Sequence, residues 1–433
     1  MPNRKRGLTR RDLLKSTAAV GALAFAGGPI PFAEARGSGA IRVGLVGCGG
    51  RGSGAARDCM ASSKGVEIAA LADAFGDQLQ GLKNEFKVPD NRCFVGLNAY
   101  KELMAIDDIN LVIIATPPAF KPPQLAEAVK RGKNVFMEKP VATCPAGVKM
   151  VIEASEQAAQ KKLAIVAGTQ RRHEAKYVET MKRIHDGAIG DIVSAQCYWN
   201  MSNLWVERAR YNWDMYKGGK WADVEWQIRN WLFIRSLSGD HICEQHVHNI
   251  DVINWAFGTL PESLQGLGGR QARTEPQYGN IYDHFGIEFF YPNDTRTISM
   301  CRQIDGTTDN VSERVVGTKG SSNCAGVIEG ENAWRYEGEN PNPYVVEHTD
   351  LIAGIRSGNP LNEGVRIAES TLCAIMGREA AYTRQRFKRD WFMSKCELNY
   401  LPADDMKLTD SMPLEPYAIP GKYVLPVAGA NKA

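Results

Sequence analysis

The sequence predicts an α/β protein in two parts: an N-terminal doubly wound parallel sheet, then an α+β domain built on a large, mostly antiparallel sheet. Three observations carry this. The chain has 433 residues, and a single hydrophobic core stops growing at roughly 250–300 residues, so two domains are expected. Through about residue 170, short β-rich apolar runs alternate with helical stretches, as happens when helices cover both faces of a parallel sheet. Beyond that point β-rich runs succeed one another with few helices between them, which favours antiparallel pairing. The expected organisation is a leader over 1–35, a first domain over 36–170, a second over 171–400 and an extended, Pro-rich tail over 401–433.

The leader differs in kind from the rest of the chain. MPNRKRGLTRRDLLKSTAAVGALAFAGGPIPFAEA has a basic start, an apolar run over Ala18–Ala26 and a small-x-small site at Ala33-Glu34-Ala35. Thr9-Arg10-Arg11-Asp12-Leu13-Leu14-Lys15 resembles the twin-arginine signal, which would place the folded protein in the periplasm. A basic tail or a short membrane anchor is the alternative, but the run is too short and too broken by Gly and Pro to cross a bilayer, so no stable anchor is expected. Residues 1–35 hold six Lys/Arg against two Asp/Glu, so of the formal +3 the rest of the chain keeps about −1. With no basic cluster there is no footing for nucleic acid. The ten cysteines are scattered, with no CxxC or paired metal spacing, and are expected to be mostly buried thiols.

The strand Ile41–Val46 runs directly into Gly47-Cys48-Gly49-Gly50-Arg51-Gly52, a GxGxxG, and then into a helix of small residues. Gly47 makes the tight turn, Gly49 lets the backbone approach a pyrophosphate, and Gly52 lets helix and strand pack closely, while the helix N-terminus faces the phosphates. A second strand, Val66–Ala72, ends in Asp73, placed to take the ribose hydroxyls of NAD; a loop aspartate after a chance glycine turn is the plain alternative. Arg51 leaves NADP open. The strand Leu111–Ala115 ends in Thr116-Pro117-Pro118, Asn134–Met137 ends in Glu138-Lys139-Pro140, and a further strand is expected over Ala164–Gly168. In a Rossmann sheet of this kind, strand carboxyl ends line the cofactor crevice. The cofactor-binding candidates are therefore Gly47, Cys48, Gly49, Gly50, Arg51, Gly52, Asp73, Thr116, Pro117, Glu138 and Lys139.

GxGxxG, an acidic end to the second strand, ATPP and above all EKP resemble the glucose-fructose oxidoreductase / inositol dehydrogenase / MocA family (Gfo/Idh/MocA) through nearly the whole chain after the leader. The resemblance implies that Lys139 hydrogen-bonds the reacting hydroxyl of a substrate near the nicotinamide. It also implies a second domain whose sheet keeps one open face, commonly paired with another subunit, hence a homo-oligomer, dimer or tetramer. One departure stands out. Where many members carry a histidine five residues after the Thr of TP, this chain has Lys121, which puts the cofactor contacts of that loop in question.

β-rich runs near 192–200, 263–270, 285–291, 295–302 and 313–318 build the second domain, with helices near 344–357 and 365–384 over one side. Between them lies GDHICEQHVHNIDVINW, three histidines within eight residues. Ser238-Gly239-Asp240 and Gly258 bound one predicted helix, Asp240–Phe257, on which His241, Glu244, His248, Asp251 and Trp255 share a face while His246 lies opposite among isoleucines, as a core residue. The family resemblance implies that His248 is the general base and Glu244 the accompanying acid, where Asp is usual. An imidazole near its ordinary pKa suits the hydroxyl proton. His241, Glu244 and His248 also read as a metal set, but i, i+3, i+7 spans about 10 Å along a helix, too far to converge on one ion, so no metal is expected. Trp221–Trp231, WADVEWQIRNW, is either a sugar-binding wall or aromatic packing between domains. The substrate-binding candidates are Arg172, Tyr211, Arg229, Asn230, Trp231, His241 and Glu244.

Together these point to an NAD(P)-dependent oxidoreductase acting on a secondary hydroxyl of a sugar, polyol or glycoside. Because nicotinamide cofactors are absent outside the cytosol, export implies a tightly bound cofactor, NAD with NADP as alternative, recycled in place. Redox-neutral glycoside cleavage or epimerisation through a transient keto-sugar is the second reading, and a non-catalytic sugar or nucleotide sensor the third. N-terminal sequencing of exported protein is expected to begin at Arg36; an intact Met1 on a periplasmic sample would remove the cleavable-signal reading.

Overall fold

A computed structural model describes residues 40–428; the predicted leader over 1–35 lies outside them. The first sheet contains β1 (Ile41–Val46), β2 (Val66–Asp73), β3 (Cys93–Val95), β4 (Leu111–Ile114), β5 (Asn134–Met137) and β6 (Ile165–Ala167). All its pairs are parallel, in the order β3-β2-β1-β4-β5-β6. Strand order reverses between β1 and β4, and a crevice opens there at the carboxyl ends of the strands. Each of Leu111, Val112, Ile113 and Ile114 is buried, as a strand covered by helices on both faces requires. The strand β3 is absent from the sequence reading: three residues carry no period, and only pairing to Leu71, Ala72 and Asp73 makes them a strand.

The second sheet holds β7 (Ile192–Met201), β8 (Ser263–Gly269), β9 (His284–Phe290), β10 (Arg296–Gln303), β11 (Asn310–Gly317), β12 (Gly320–Ser322), β13 (Val327–Gly330), β14 (Trp334–Arg335) and β15 (Phe387–Lys388). Its order is β14-β13-β12-β11-β7-β10-β9-β8-β15. Pairing is antiparallel except between β7 and β10. One face packs on helices and the other is open. On β10 the alternation is inverted: Thr297, Ser299 and Cys301 are buried while Ile298 and Met300 are 38% and 45% exposed. Ser299 can be buried because its hydroxyl meets His246 Nε2 at 2.7 Å.

Helices tie the two sheets together. Gly364–Thr383 packs against both β8 and the helix Pro145–Gln160, and Pro343–Ser357 packs against the helix Gly50–Ser62. One apolar cluster accordingly runs from Val46, Ile114 and Val135 through Ile375 to Leu264 and Phe289. From Leu401 to Ala428 the chain continues without helix or strand.

The predicted helix Asp240–Phe257 is two helices, His241–Glu244 and Val247–Phe257. Asp240 caps the first, its carboxylate accepting from His241 N at 2.6 Å. At the break the Glu244 carbonyl, which an unbroken helix would offer to the amide four residues on, accepts from Lys139 Nζ at 2.6 Å. The amide of His248 turns to Gln245 O at 3.3 Å.

A buried ionic seam crosses the junction. Arg172 forks onto Asp251 at 2.8 and 3.0 Å, Arg366 adds 3.1 Å to the same carboxylate, and His173 meets Asp350 at 2.6 Å. Burial alone would lower the His173 pKa, but Asp350 and Glu363 outweigh it and raise it to about 9. This raised group stabilises the fold fully below its ordinary 6.5 and loses that contribution as pH climbs through about 9. Chemical denaturation is expected to show stability falling by about 2 kcal/mol between those limits, with the slope lost in His173→Gln.

Candidate functional site

The crevice is shaped by glycine. Gly47 has φ +92°, and a Cβ there would lie 2.7 Å from the Ala115 carbonyl carbon. A Cβ on Gly52 would come within 1.8 Å of Gly47 O, whereas Gly49 and Gly50 face open space. Turn and close packing thus fall to Gly47 and Gly52, and the open space at Gly49 and Gly50 has room for a pyrophosphate. Asp73 sits at the far wall, its two oxygens accepting from Cys48 N at 2.7 Å and Phe75 N at 2.9 Å. Burial raises its pKa, and these two amides pull back toward the charged form. The crevice is lined by Gly47, Asp73, Phe75, Thr116, Pro117 and Phe120. Thr116 Oγ1 donates to Gln124 Oε1 at 2.6 Å. Arg51 is taken by Glu138 at 2.7 Å and Asp58 at 3.1 Å. Held there, it is not offered to a ribose phosphate at Asp73.

At the other end, Lys139 reaches from the end of β5 to Glu244. Its Nζ donates to Glu244 O at 2.6 Å and lies 3.5 Å from Oε1. One turn on, His248 is buried with its ring stacked 5.8 Å from that of Trp199. Burial, then Lys139 and Arg171, push His248 well below the ordinary imidazole value. The sequence expectation of an unshifted imidazole is therefore corrected: His248 stays neutral, its lone pair free for a proton, to well below pH 6.5. Among the described residues Glu244 Oε2, His248 Nδ1 and Trp199 Nε1 are buried without hydrogen-bond partners. No group of three metal-ligating side chains is brought together among the described residues.

The substrate-binding candidates scatter. Arg172 is spent on Asp251 and lies over Trp255 at 4.4 Å. Its neighbour Arg171 is the one near His248, paired with buried Glu313 and 5.8 Å from the Trp199 ring. Asn230 is buried, donating to Gln277 O at 2.9 Å. His241 is buried edge-on to Phe285 at 5.1 Å, off the face of His248 once the helix breaks. Tyr211 is exposed, edge-on to Trp221 at 6.2 Å. Arg229 and Trp231 line the crevice at its Asp73 end instead of facing Lys139. His246 is the core residue expected, burial holding its pKa down to about 3.

Sequence reasoning missed Trp199, Arg171, Glu313 and the work of Lys121. No motif marks the first three; β7 alternation alone places Trp199 on the helix-facing side. Lys121 does not reach for cofactor. It is 2% exposed, and its ammonium donates to the carbonyls of Glu138, Lys139 and Pro140 at 2.8, 3.1 and 3.0 Å. Burial pulls its pKa down to about 7, while three carbonyls that can only accept hold the proton on. Lys121→Met leaves those carbonyls unpaired and is expected to lower unfolding free energy by about 2–5 kcal/mol in urea titration.

Two family models match: "Oxidoreductase family, NAD-binding Rossmann fold" over residues 41–167 and "GFO/IDH/MocA C-terminal domain" over 177–323, together more than half the chain. An inositol 2-dehydrogenase of Agrobacterium fabrum is 31% identical over 150 residues, 35% of this chain and 43% of that one. A 2,7-anhydro-N-acetylneuraminate hydratase of Escherichia coli is 24% identical over 230 residues, 52% and 54% of the two chains. The match thus spans about half the length of these curated relatives. In fold, the chain is similar to scyllo-inositol dehydrogenase of Lactobacillus casei, solved with NAD(H) and scyllo-inositol, with TM-score 0.61 over 81% of this chain and 99% of that one at 20% identity. With the glycine crevice, the EKP turn and the sheet order 3-2-1-4-5-6 all in place, the chain belongs to the Gfo/Idh/MocA family of NAD-binding oxidoreductases.

Proposed function

We propose that the protein oxidises a secondary hydroxyl of a sugar, polyol or glycoside with a tightly bound NAD that is recycled in place. The observation that carries this is the meeting of Lys139, Glu244 and His248 at the carboxyl end of the crevice. Bound NAD supplies the hydride acceptor. Lys139 Nζ donates to the substrate oxygen and fixes it, and His248, held neutral by burial, takes the hydroxyl proton. The Glu244 carboxylate, 3.5 Å from Lys139, and its own carbonyl, at 2.6 Å, hold that ammonium in place. Recycling follows from the periplasmic address expected of the twin-arginine leader.

A second reading has a relative behind it: the Escherichia coli protein is named a hydratase, not a dehydrogenase. Transient oxidation acidifies the adjacent C–H, so elimination and addition of water proceed with the hydride returned. Either way the open sheet face, with Leu267, Ile298 and Met300 exposed at 38–58%, is proposed as the contact between subunits of a homo-oligomer.

Purified protein is denatured to release its nucleotide, and intact protein is offered free sugars and glycosides while NADH absorbance and products are followed. NADH accumulating with sugars supports oxidation; glycoside turnover without net NADH supports the cyclic reading; no bound nucleotide would sink both. Lys139→Met and His248→Asn are each expected to lower kcat by about 10²–10⁴ with nucleotide retained. In the wild type the acid limb of kcat/KM should lie below pH 6.5, because His248 is held below that value.

A further inference from the structure

The second domain lines one wall of the dinucleotide crevice, and Arg229 meets the first domain beside Asp73, at Phe75 and Asp77. Arg208, Ile228, Arg229 and Trp231 share its lining with Asp73, Phe75 and Leu97. In a doubly wound sheet this end, beyond β2, takes the adenosine. Arg229 comes from the short helix Asp223–Arg229 and crosses to the first domain. Its guanidinium lies 3.8 Å from the Phe75 ring centre and forks onto both oxygens of Asp77 at 3.1 and 3.2 Å. Glu225 holds its Nε at 2.9 Å. Arg208 sits at the same rim over the Trp205 ring at 4.8 Å, with no ion pair among the described residues.

This wall is braced from behind. Phe75 and Phe120 share one apolar cluster with Val224, Trp226, Ile228 and Ile234, and Met406, Leu408 and Leu414 of the tail pack against it. The tail also grips the helix directly: Gln227 Nε2 donates to Met412 O at 2.5 Å, and Asp223 accepts from Ser411 Oγ and Met412 N at 2.9 Å each. Asp404 meets Lys101 at 3.4 Å on the first domain. A wall held at both ends does not swing aside freely.

We propose that Arg229, flanked by Arg208 and Trp231, closes over the adenosine of the bound dinucleotide, so that the second domain and the tail set how slowly the cofactor leaves. The ligand class is the purine nucleoside half of a nicotinamide dinucleotide: its ring would meet the Trp231 indole and the flat cation of Arg208, with Arg229 fixed between Phe75 and Trp221 at the rim, and its ribose would meet Asp73. The inference rests on the dinucleotide reading of the crevice but not on any substrate.

Release of NADH is followed by its fluorescence after mixing with excess NAD, in wild type, Arg229→Leu, Arg208→Leu and Asp77→Asn. The last keeps Arg229 on Phe75 and removes only its fork, which guards against misfolding of the first. Reduced nicotinamide mononucleotide, lacking the adenosine half, serves as the control ligand. The expected result is NADH release about tenfold faster or more in Arg229→Leu, an intermediate gain in the other two, and unchanged mononucleotide retention. NADH release within about twofold of wild type in all three, or equal acceleration of both ligands, overturns the inference. A wild-type protein that holds no dinucleotide overturns it together with the functional reading, whereas failure of sugar turnover alone touches only the latter.

Discussion

The ammonium of Lys139 on the carbonyl of Glu244, at 2.6 Å, is the contact on which the arrangement of the site depends. It joins the end of a strand in the first sheet to a helix of the second domain. It takes a carbonyl that an unbroken helix would keep for itself, at the break between His241–Glu244 and Val247–Phe257. That break brings His248 beside Trp199 and carries His241 away into the packing around Phe285. Lys121 anchors the other side of the same contact by holding three successive carbonyls of the turn from which Lys139 projects.

Around this contact the two sheets are fastened by charge as well as by apolar packing. Asp251 receives Arg172, Arg366 and Ser370 together, and burial of so many ions is tolerated only because nearly every carboxylate lone pair has a donor. Such a seam contributes less to net stability than its short distances imply, since desolvation offsets most of the attraction. What it does specify is alignment. A carboxylate shared by two arginines from different segments admits one placement of the helix that carries His248.

The wall at the Asp73 end gives the aromatic segment Trp221–Trp231 the interdomain packing that was one of the two readings of its composition, and adds a place on the crevice. It packs between the domains, Trp226 and Ile228 sharing one apolar cluster with Phe75 and Phe120, and Arg229 and Trp231 also line the crevice itself. Trp226 is in the core beneath them, and Asn230 is locked by Asn212 and Gln277.

The first sheet was legible because its determinants are local. Strands β1 and β5 match the apolar runs residue for residue, and a positive φ at Gly47 or a close approach at Gly52 admits no other residue type, so the glycines announce the crevice. The strands of the second sheet were legible for the same reason, apart from short β12, β13, β14 and β15, which, like β3 in the first sheet, exist only by pairing. The site was legible only in part. Lys139, Glu244 and His248 were singled out by motif and do meet, while Arg172 and Asn230 were chosen by chemical type and turned out to be committed to Asp251 and Gln277. By itself the sequence determined the elements, the crevice and the identity of the groups beside it. Only tertiary structure decided which arginine faces His248, that the histidine helix is broken, and that Lys121 turns inward. Those outcomes depend on hydrogen bonds and burial between residues far apart in the chain, and no periodicity or spacing encodes them.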